Sequence, residues 1–166
     1  MGMRFAPARL AVVLLGDRLY GAVIQRNRVD TFVIETDNPA AALRAELDAR
    51  RLAPRTVAIG LARAAVTVKP IDLPPVGGEM RDMVKFELER HLPFPADDAP
   101  FDFVPLPPEG EPGTAEARRV LIAAADRRVV DAVVRLAEEA KLRPVSVTIA
   151  AHDPGRDVRD TIRRLW

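Results

Sequence analysis

The sequence predicts a mixed α/β fold divided into two units, and three observations lead to this prediction. Three short apolar segments separated by tight-turn residues open the chain, which is typical of an antiparallel meander. The continuously apolar segment 56–61 is typical of a strand that is buried on both faces of a sheet. A strand–helix–strand–strand–helix series then begins near Ala64, and one more apolar strand follows it.

The first unit starts with the meander, whose strands are predicted at residues 10–15, 19–25 and 29–35. Gly16 and Asp17 supply the first tight turn, and Asn27 lies in the second. Connections this short join only antiparallel neighbours, so the three strands are expected to pair in sequence order.

A helix is predicted after the meander because Asn38 is a good N-cap and Pro39 fits the first helical position. Apolar residues continue at helical spacing to about Leu52, and Pro54 is expected to stop the helix before the strand at 56–61.

The second unit begins with a predicted strand over residues 66–71, and Gly77 and Gly78 open a helix over residues 79–92. Pro93 ends that helix. Glu87 and His91 fall four residues apart on the apolar side, so they are expected to face each other. The apolar residues that share this side of the helix are Met80, Met83, Val84, Leu88 and Leu92.

A hairpin follows, with strands predicted at 101–106 and 119–125 and a polar, proline-rich tip at 105–114. Asp126 is expected to cap the next helix, whose wide apolar face extends to Ala140. The remaining elements are a buried strand at residues 144–150 and a final helix at residues 154–166.

Composition excludes several classes of protein. The 166 residues carry 25 Lys and Arg against 24 Asp and Glu, and a net charge of +1 argues against nucleic acid as the main partner. The chain has no cysteine, so it forms no disulfide and no thiolate metal site. No apolar run is long enough to span a membrane, and the first nine residues lack the apolar core of a secretory signal. These features predict a protein of the reducing cytoplasm.

Few side chains are available for catalysis. Ser146 is the single serine and lies inside an apolar strand, where a nucleophile would not be exposed. His91 and His152 are the two histidines, and their separation predicts no metal site. Glu87 with His91 is the one suggestive acid–base pair. We favour a structural contact for this pair, because the sequence places no third polar group beside it.

Two features leave an alternative open. Phe94, Phe101 and Phe103 form either a docking patch or, as we favour, part of the core beneath the helix. The C-terminal tail mixes arginines with aspartates, which fits a solvated helix face. It also fits a juxtamembrane stretch followed, beyond Trp166, by a membrane-spanning helix of a longer chain.

The segment 71–106 resembles the signature segment of the PilM/GspL family, the actin-like scaffold proteins of type IV pilus and type II secretion machines. The family pattern is a strand ending in Leu-Pro, a helix with an aromatic-Glu-x-Glu core, a Leu-Pro-Phe step and an acidic-aromatic strand. The matching residues are Leu73-Pro74, Phe86-Glu87-Leu88-Glu89, Leu92-Pro93-Phe94 and Phe101-Asp102-Phe103. The rest of the chain follows the family's order of elements, although Lys141 stands where the family usually has glycine.

The resemblance implies an α/β architecture with an actin-like, ribonuclease H-like subdomain 1A. Residues 1–63 and 142–166 would form this subdomain. Residues 64–141 would form the inserted strand–helix–strand–strand module, the 1C-type subdomain known from PilM and the cell-division protein FtsA.

The ATP-binding members of the family grip phosphate with an Asp-x-Gly-Ser-x-x-x-Lys hairpin, and this chain departs from it. The resemblance places Leu14 at the acid, Asp17 at the hydroxyl and Gly21 at the lysine, and only Gly16 is retained. A leucine cannot ligate the water shell of magnesium, and an aspartate repels phosphate. We therefore predict no ATP, no metal and no other cofactor.

The resemblance implies a non-catalytic cytoplasmic scaffold at the inner face of the bacterial inner membrane, in a type II secretion or type IV pilus platform. It would dock the assembly ATPase or a short partner peptide, bind no nucleic acid and reach the membrane through partners or a later segment. Self-association is also possible for inserts of this type. The alternatives are a fragment of an ATP-binding PilM-type protein and a small enzyme. The groove between the units and the insert are the expected contact surfaces, and the candidate partner-binding residues are Met80, Met83, Val84, Glu87, His91 and Phe94.

Overall fold

The computed structural model describes residues 8–25, 28–74, 79–107 and 118–150. The expected second turn at Asn27, the helix opening at 77–78, most of the proline-rich tip and the final helix at 154–166 lie outside these residues. The elements in chain order are strands β1 (Arg9–Leu15), β2 (Arg18–Gln25) and β3 (Arg28–Glu35), helix α1 (Pro39–Ala49), strands β4 (Thr56–Ala62) and β5 (Val66–Leu73), helix α2 (Met80–Leu88), strands β6 (Phe101–Pro105) and β7 (Arg118–Ala125), helix α3 (Arg127–Glu139) and strand β8 (Arg143–Ala150).

The chain divides into two compact units, unit 1 from Met1–Arg63 and Val130–Trp166 and unit 2 from Ala64–Val129. Most of α3 belongs to unit 1, where Leu136 of α3 lines the same cavity as Leu14 of β1.

Unit 1 holds a five-stranded sheet in the order β3-β2-β1-β4-β8. The predicted meander is confirmed, since β1, β2 and β3 pair antiparallel in sequence order. Gly16 makes the first turn with a φ of +61°, a left-handed conformation that glycine adopts without steric cost. The Asp17 carbonyl accepts a hydrogen bond from the Thr36 amide at 3.0 Å, which ties this turn to the end of β3.

The core of unit 1 lies along the two central strands, β1 and β4, which pair in parallel. The interior of β4 is buried, as expected for its continuous apolar run. Leu43 and Leu47 of α1 are fully buried. Gly21 faces Phe32 across β2 and β3, and a methyl group at Gly21 would overlap the phenylalanine ring. Phe32 is buried as a result, so this glycine provides space for a core aromatic.

Helix α1 begins as predicted, with the Asn38 side chain accepting a hydrogen bond from the Ala41 amide at 3.2 Å. Its regular part ends at Ala49, earlier than expected. The Leu52 amide donates to the Leu47 carbonyl at 2.8 Å, and Arg51 takes a φ of +56°. This Schellman arrangement, rather than Pro54, stops the helix.

Helix α3 begins with a side-chain cap and ends in a left-handed residue, as α1 does. The Arg128 amide donates to the Asp126 carboxylate at 2.8 Å, which confirms the predicted cap. At the other end the Leu142 amide donates to the Ala137 carbonyl at 2.9 Å, and Lys141 takes a φ of +61°. A left-handed conformation is costly for a residue with a Cβ, which explains why glycine would suit this position.

We expect Lys141→Gly to stabilise the protein by about 1 kcal/mol, because glycine removes the cost of the left-handed conformation. Chemical denaturation followed by circular dichroism measures the change. Glu138→Gly, three residues earlier in the regular helix, is the control and should destabilise by about 1 kcal/mol. Equal destabilisation by both changes would contradict the proposed strain at Lys141.

Strand β8 corrects one prediction. It was expected to be buried, but it lies at the edge of the sheet beside β4, and only its last residue is fully buried. Ser146 lies in this strand, as predicted, but it is exposed, so the expectation that the strand would hide its hydroxyl is wrong. Apolar composition alone did not distinguish a central strand from an edge strand.

Unit 2 holds a three-stranded antiparallel sheet in the order β5-β7-β6, which confirms the predicted hairpin of β6 and β7. Helix α2 is shorter than the expected 79–92. The Leu88 carbonyl accepts from both the His91 and the Leu92 amides, at 2.9 and 3.0 Å, so the chain tightens into a turn before Pro93. Within the part of the chain that the structure describes, no helix is long and apolar enough to cross a membrane.

Candidate functional site

Helix α2 buries one face in unit 2 and exposes the other. Val84 and Leu88 are fully inaccessible and join β5 and β7 residues such as Ile71 and Ile122 in one hydrophobic core. Because α2 is amphipathic with a period of 3.6 residues, the positions between its buried residues face solvent. The exposed side chains of α2 include Arg81, Asp82, Lys85 and Phe86, and the exposed Glu89 and Arg90 follow its last residue.

Phe86 is the most conspicuous residue on this face, because 71% of its surface is exposed. The Arg90 guanidinium lies 6.0 Å from the centre of its ring, at the outer limit of a cation–π contact. Burying a phenylalanine side chain stabilises a protein by about 1.5–3 kcal/mol. Because Phe86 is exposed, it contributes little of this stabilisation to unit 2. Such a residue is available to a partner.

An open depression of about 280 Å³ lies beside Phe86. It holds three carboxylates and one ammonium group, so its lining has a net negative charge, and the Arg90 guanidinium adds a second cation near the ring. This combination suits an apolar side chain flanked by basic residues. The lining residues are Asp82, Lys85, Phe86, Glu89, Ala96 and Asp97.

The predicted partner-binding residues of α2 lie mostly in or against the core of unit 2 rather than on its surface. Met83 and Val84 belong to the core of unit 2, and Met80 packs half-buried against it. Their apolar spacing marks a core face rather than a contact surface. Phe94 is half-buried beyond the end of α2. The surface that a partner can reach is therefore the opposite face of the helix.

Glu87 and His91 do not form the expected pair. Among the described residues, Glu87 is the one buried charged or polar side chain, and its carboxylate accepts a hydrogen bond from the Arg90 guanidinium at 3.3 Å. His91 follows the end of the regular helix and is half-buried, with no hydrogen bond to Glu87 among the described residues. The i,i+4 geometry requires a helix through position 91, and α2 ends at Leu88.

The remaining aromatic residues of this region support the core. Phe101 and Phe103 pack, partly buried, against the hydrophobic core of unit 2, as the favoured interpretation expected. The Arg81 guanidinium covers the ring of Phe101 at 4.6 Å from its centre. Phe86 is absent from the residues that the sequence predicted for partner binding, because those residues all belong to the apolar side of α2. The sequence does contain an indication of it, since Phe86 is an aromatic residue at a position where the helical period predicts a polar one.

The turn between β1 and β2 lies beside a cavity of unit 1. Leu14 lines a cavity of about 340 Å³ in unit 1, together with Asp37 and Asn38 at the start of α1. The cationic group of this cavity is Arg135, and Asp37 and Glu139 oppose it. An acidic rim of this kind repels a polyphosphate. No three or more Asp, Glu or His side chains of the described residues are grouped to hold a metal ion.

Comparisons with known proteins agree with this architecture. The model of the type IV pilus assembly protein PilM family matches residues 13–165. The structure is similar to one titled PilM-PilN type IV pilus biogenesis complex, with a TM-score of 0.66, 23% identity and coverage of 86% of this chain and 47% of that one. It is also similar to the cytoplasmic domain of EpsL, an inner membrane component of the type II secretion system of Vibrio cholerae, with a TM-score of 0.62, 17% identity and coverage of 86% and 57%.

The chain thus spans about half the length of these solved structures. None of the curated proteins matches the sequence significantly. The two likenesses show the expected α/β, actin-like fold, and the family match confirms the resemblance found in the signature segment. Since the match covers nearly the whole sequence, this chain belongs to the family of the type IV pilus assembly protein PilM.

Proposed function

We propose that this chain is a non-catalytic docking scaffold on the cytoplasmic side of an inner-membrane platform for type IV pilus assembly or type II secretion. Family membership supports the class of machine. The two similar structures support the setting, since one is a PilM–PilN complex and the other is the cytoplasmic domain of an inner-membrane component.

The residues of the β1–β2 turn support the proposal that this chain does not bind ATP or catalyse its hydrolysis. Leu14 lies at the end of β1 and offers an alkyl chain, Asp17 offers a negative charge, and Gly21 lies within β2. Binding of ATP with magnesium requires oxygen ligands for the metal and cationic or amide donors for the phosphates. Of these three residues only Asp17 has an oxygen ligand, its negative charge repels phosphate, and none of the three side chains is a cation.

The exposed face of α2 carries the docking part. Phe86 and the acidic depression beside it fit a segment that presents an apolar anchor next to Lys or Arg. We propose a PilN-type platform protein as the first partner, because a solved relative of this fold was captured with one. The assembly ATPase is the second partner to test.

Calorimetry with MgATP on the longest natural chain tests the non-catalytic part. We expect no binding at millimolar nucleotide. A dissociation constant in the micromolar range would contradict the scaffold and support the alternative, an ATP-binding actin-like protein of which this chain is a fragment.

A further inference from the structure

Positive charge is concentrated at one end of the sheet of unit 1. Strands β1, β3, β4 and β8 run in the same direction, because β1–β4 and β4–β8 are parallel pairs and β2 is antiparallel to both of its neighbours. Their first residues therefore meet at one end, here called the basic end. β1, β3 and β8 begin at Arg9, Arg28 and Arg143, and Arg55 immediately precedes β4.

The helix ends add to this charge. Helices α1 and α3 each lead directly into a strand that starts at the basic end, so Arg50, Arg51 and Lys141 lie there as well. A cation near a helix C-terminus is favourable by itself because of the helix dipole. The helix dipole does not explain Arg55, which precedes β4, or Arg143, which is the first residue of β8.

Four of these cations are unpaired. Arg51, Arg55, Lys141 and Arg143 are exposed, and none forms an ion pair within the described residues. The Arg143 amide donates to the Arg55 carbonyl at 3.0 Å, so these two residues are neighbours.

Most of the nearby carboxylates are already engaged. Asp30 lies 4.0 Å from Arg28, and Glu46 accepts from Arg50 at 2.5 Å. Asp48, in the last turn of α1, pairs with Arg44 at 2.6 Å. With Glu138 of α3, these four carboxylates stand against seven cationic side chains at this end, whereas Glu139 lines the cavity that also holds Asp37. The carboxylates Asp17, Glu35 and Asp37 lie at the opposite end of the sheet, which leaves the whole chain nearly neutral.

We propose that the basic end of unit 1 binds an anionic phospholipid surface. Its four unpaired cations are spread along a sheet end, which suits a diffuse layer of charge better than a single phosphate group. The described residues place no exposed aromatic side chain there for stacking on bases, which disfavours single-stranded nucleic acid. The proposal rests on the proposed function, because a platform component works beside a membrane.

Vesicle flotation with the purified chain tests the proposal without any partner protein. We expect binding to phosphatidylglycerol vesicles, little binding to phosphatidylcholine vesicles, and release at about 0.5 M salt, where the Debye length is short. The combined variant Arg51→Gln, Arg55→Gln, Lys141→Gln and Arg143→Gln should bind about 600-fold more weakly, since each of the four cations contributes about 5-fold.

The matched control removes four cations elsewhere, with Lys69→Gln, Lys85→Gln, Arg118→Gln and Arg135→Gln, and should change binding less than about 3-fold. Equal losses in the two variants would overturn the proposal, because net charge would then explain the binding. The double change Arg51→Gly and Lys141→Gly suits the left-handed backbone at both positions, so it keeps the test available if the fourfold variant does not fold.

Two further outcomes would overturn the proposal. One is failure of the unaltered chain to bind anionic vesicles at low salt. The other is tighter binding to a labelled oligonucleotide than to vesicles. Vesicle binding that persists when partner docking fails would separate this inference from the proposed docking role.

Discussion

Phe86→Ala is expected to weaken binding of the PilN-type partner by about 30-fold, equivalent to ~2 kcal/mol, while leaving the fold intact. An exposed aromatic side chain in an acidic depression has the character of an interface hot spot. Its removal costs little stability, because most of the ring is exposed to solvent. Isothermal titration measures the binding, and thermal unfolding measures the stability.

Val104→Ala is the matched control for this experiment. Val104 is also an exposed large apolar residue of unit 2, with 56% of its surface accessible, but it lies on β6 rather than in the depression. It should bind the partner as the unaltered chain does. Equal loss in both variants, or full binding by Phe86→Ala, would refute the exposed face of α2 as the docking site.

Val84→Asp is expected to unfold unit 2, with a loss of at least about 3 kcal/mol of stability. Val84 is completely buried in the core of that unit, and an aspartate there would be an unpaired buried charge. Hydrogen exchange measured on β5 and β7 reports the opening of unit 2 separately from unit 1.

Lys85→Asp is the control, because Lys85 is the next residue along α2 and is exposed. It should change hydrogen exchange in β5 and β7 very little. A folded Val84→Asp protein that had lost its partner would instead place Val84 on the contact surface, as the sequence alone suggested.

The order of elements was predictable from local signals. Gly16 with Asp17, Asn38 with Pro39, and Asp126 each specify a turn or a cap through interactions within a few residues. Helix ends were less predictable. The chain leaves α1 and α3 through Arg51 and Lys141, which follow the last helical residues and have left-handed conformations. Neither residue is a glycine, so the residue type did not predict this conformation.

The sequence placed the candidate partner-binding residues on the apolar side of α2, which the structure shows to be a core face. The contact surface itself stays a prediction. Met83 and Val84 have the spacing of a contact stripe, and the same spacing marks a core face. Only the sheet of unit 2, which covers that face, assigns these residues to the interior and leaves Phe86 outside.

By itself, the sequence determined the α/β class, the order of the elements and the residue types at the first turn, where the resemblance predicts that the phosphate-gripping side chains are absent. These depend on residue type and short-range spacing, which are properties of the linear chain. The tertiary structure decided that β8 is an edge strand, which face of α2 is exposed, and that seven cationic side chains of a nearly neutral chain lie at one end of the sheet of unit 1. Those features arise when strands and helices that are distant in sequence pack side by side. Residue type and short-range spacing do not predict which distant elements become neighbours.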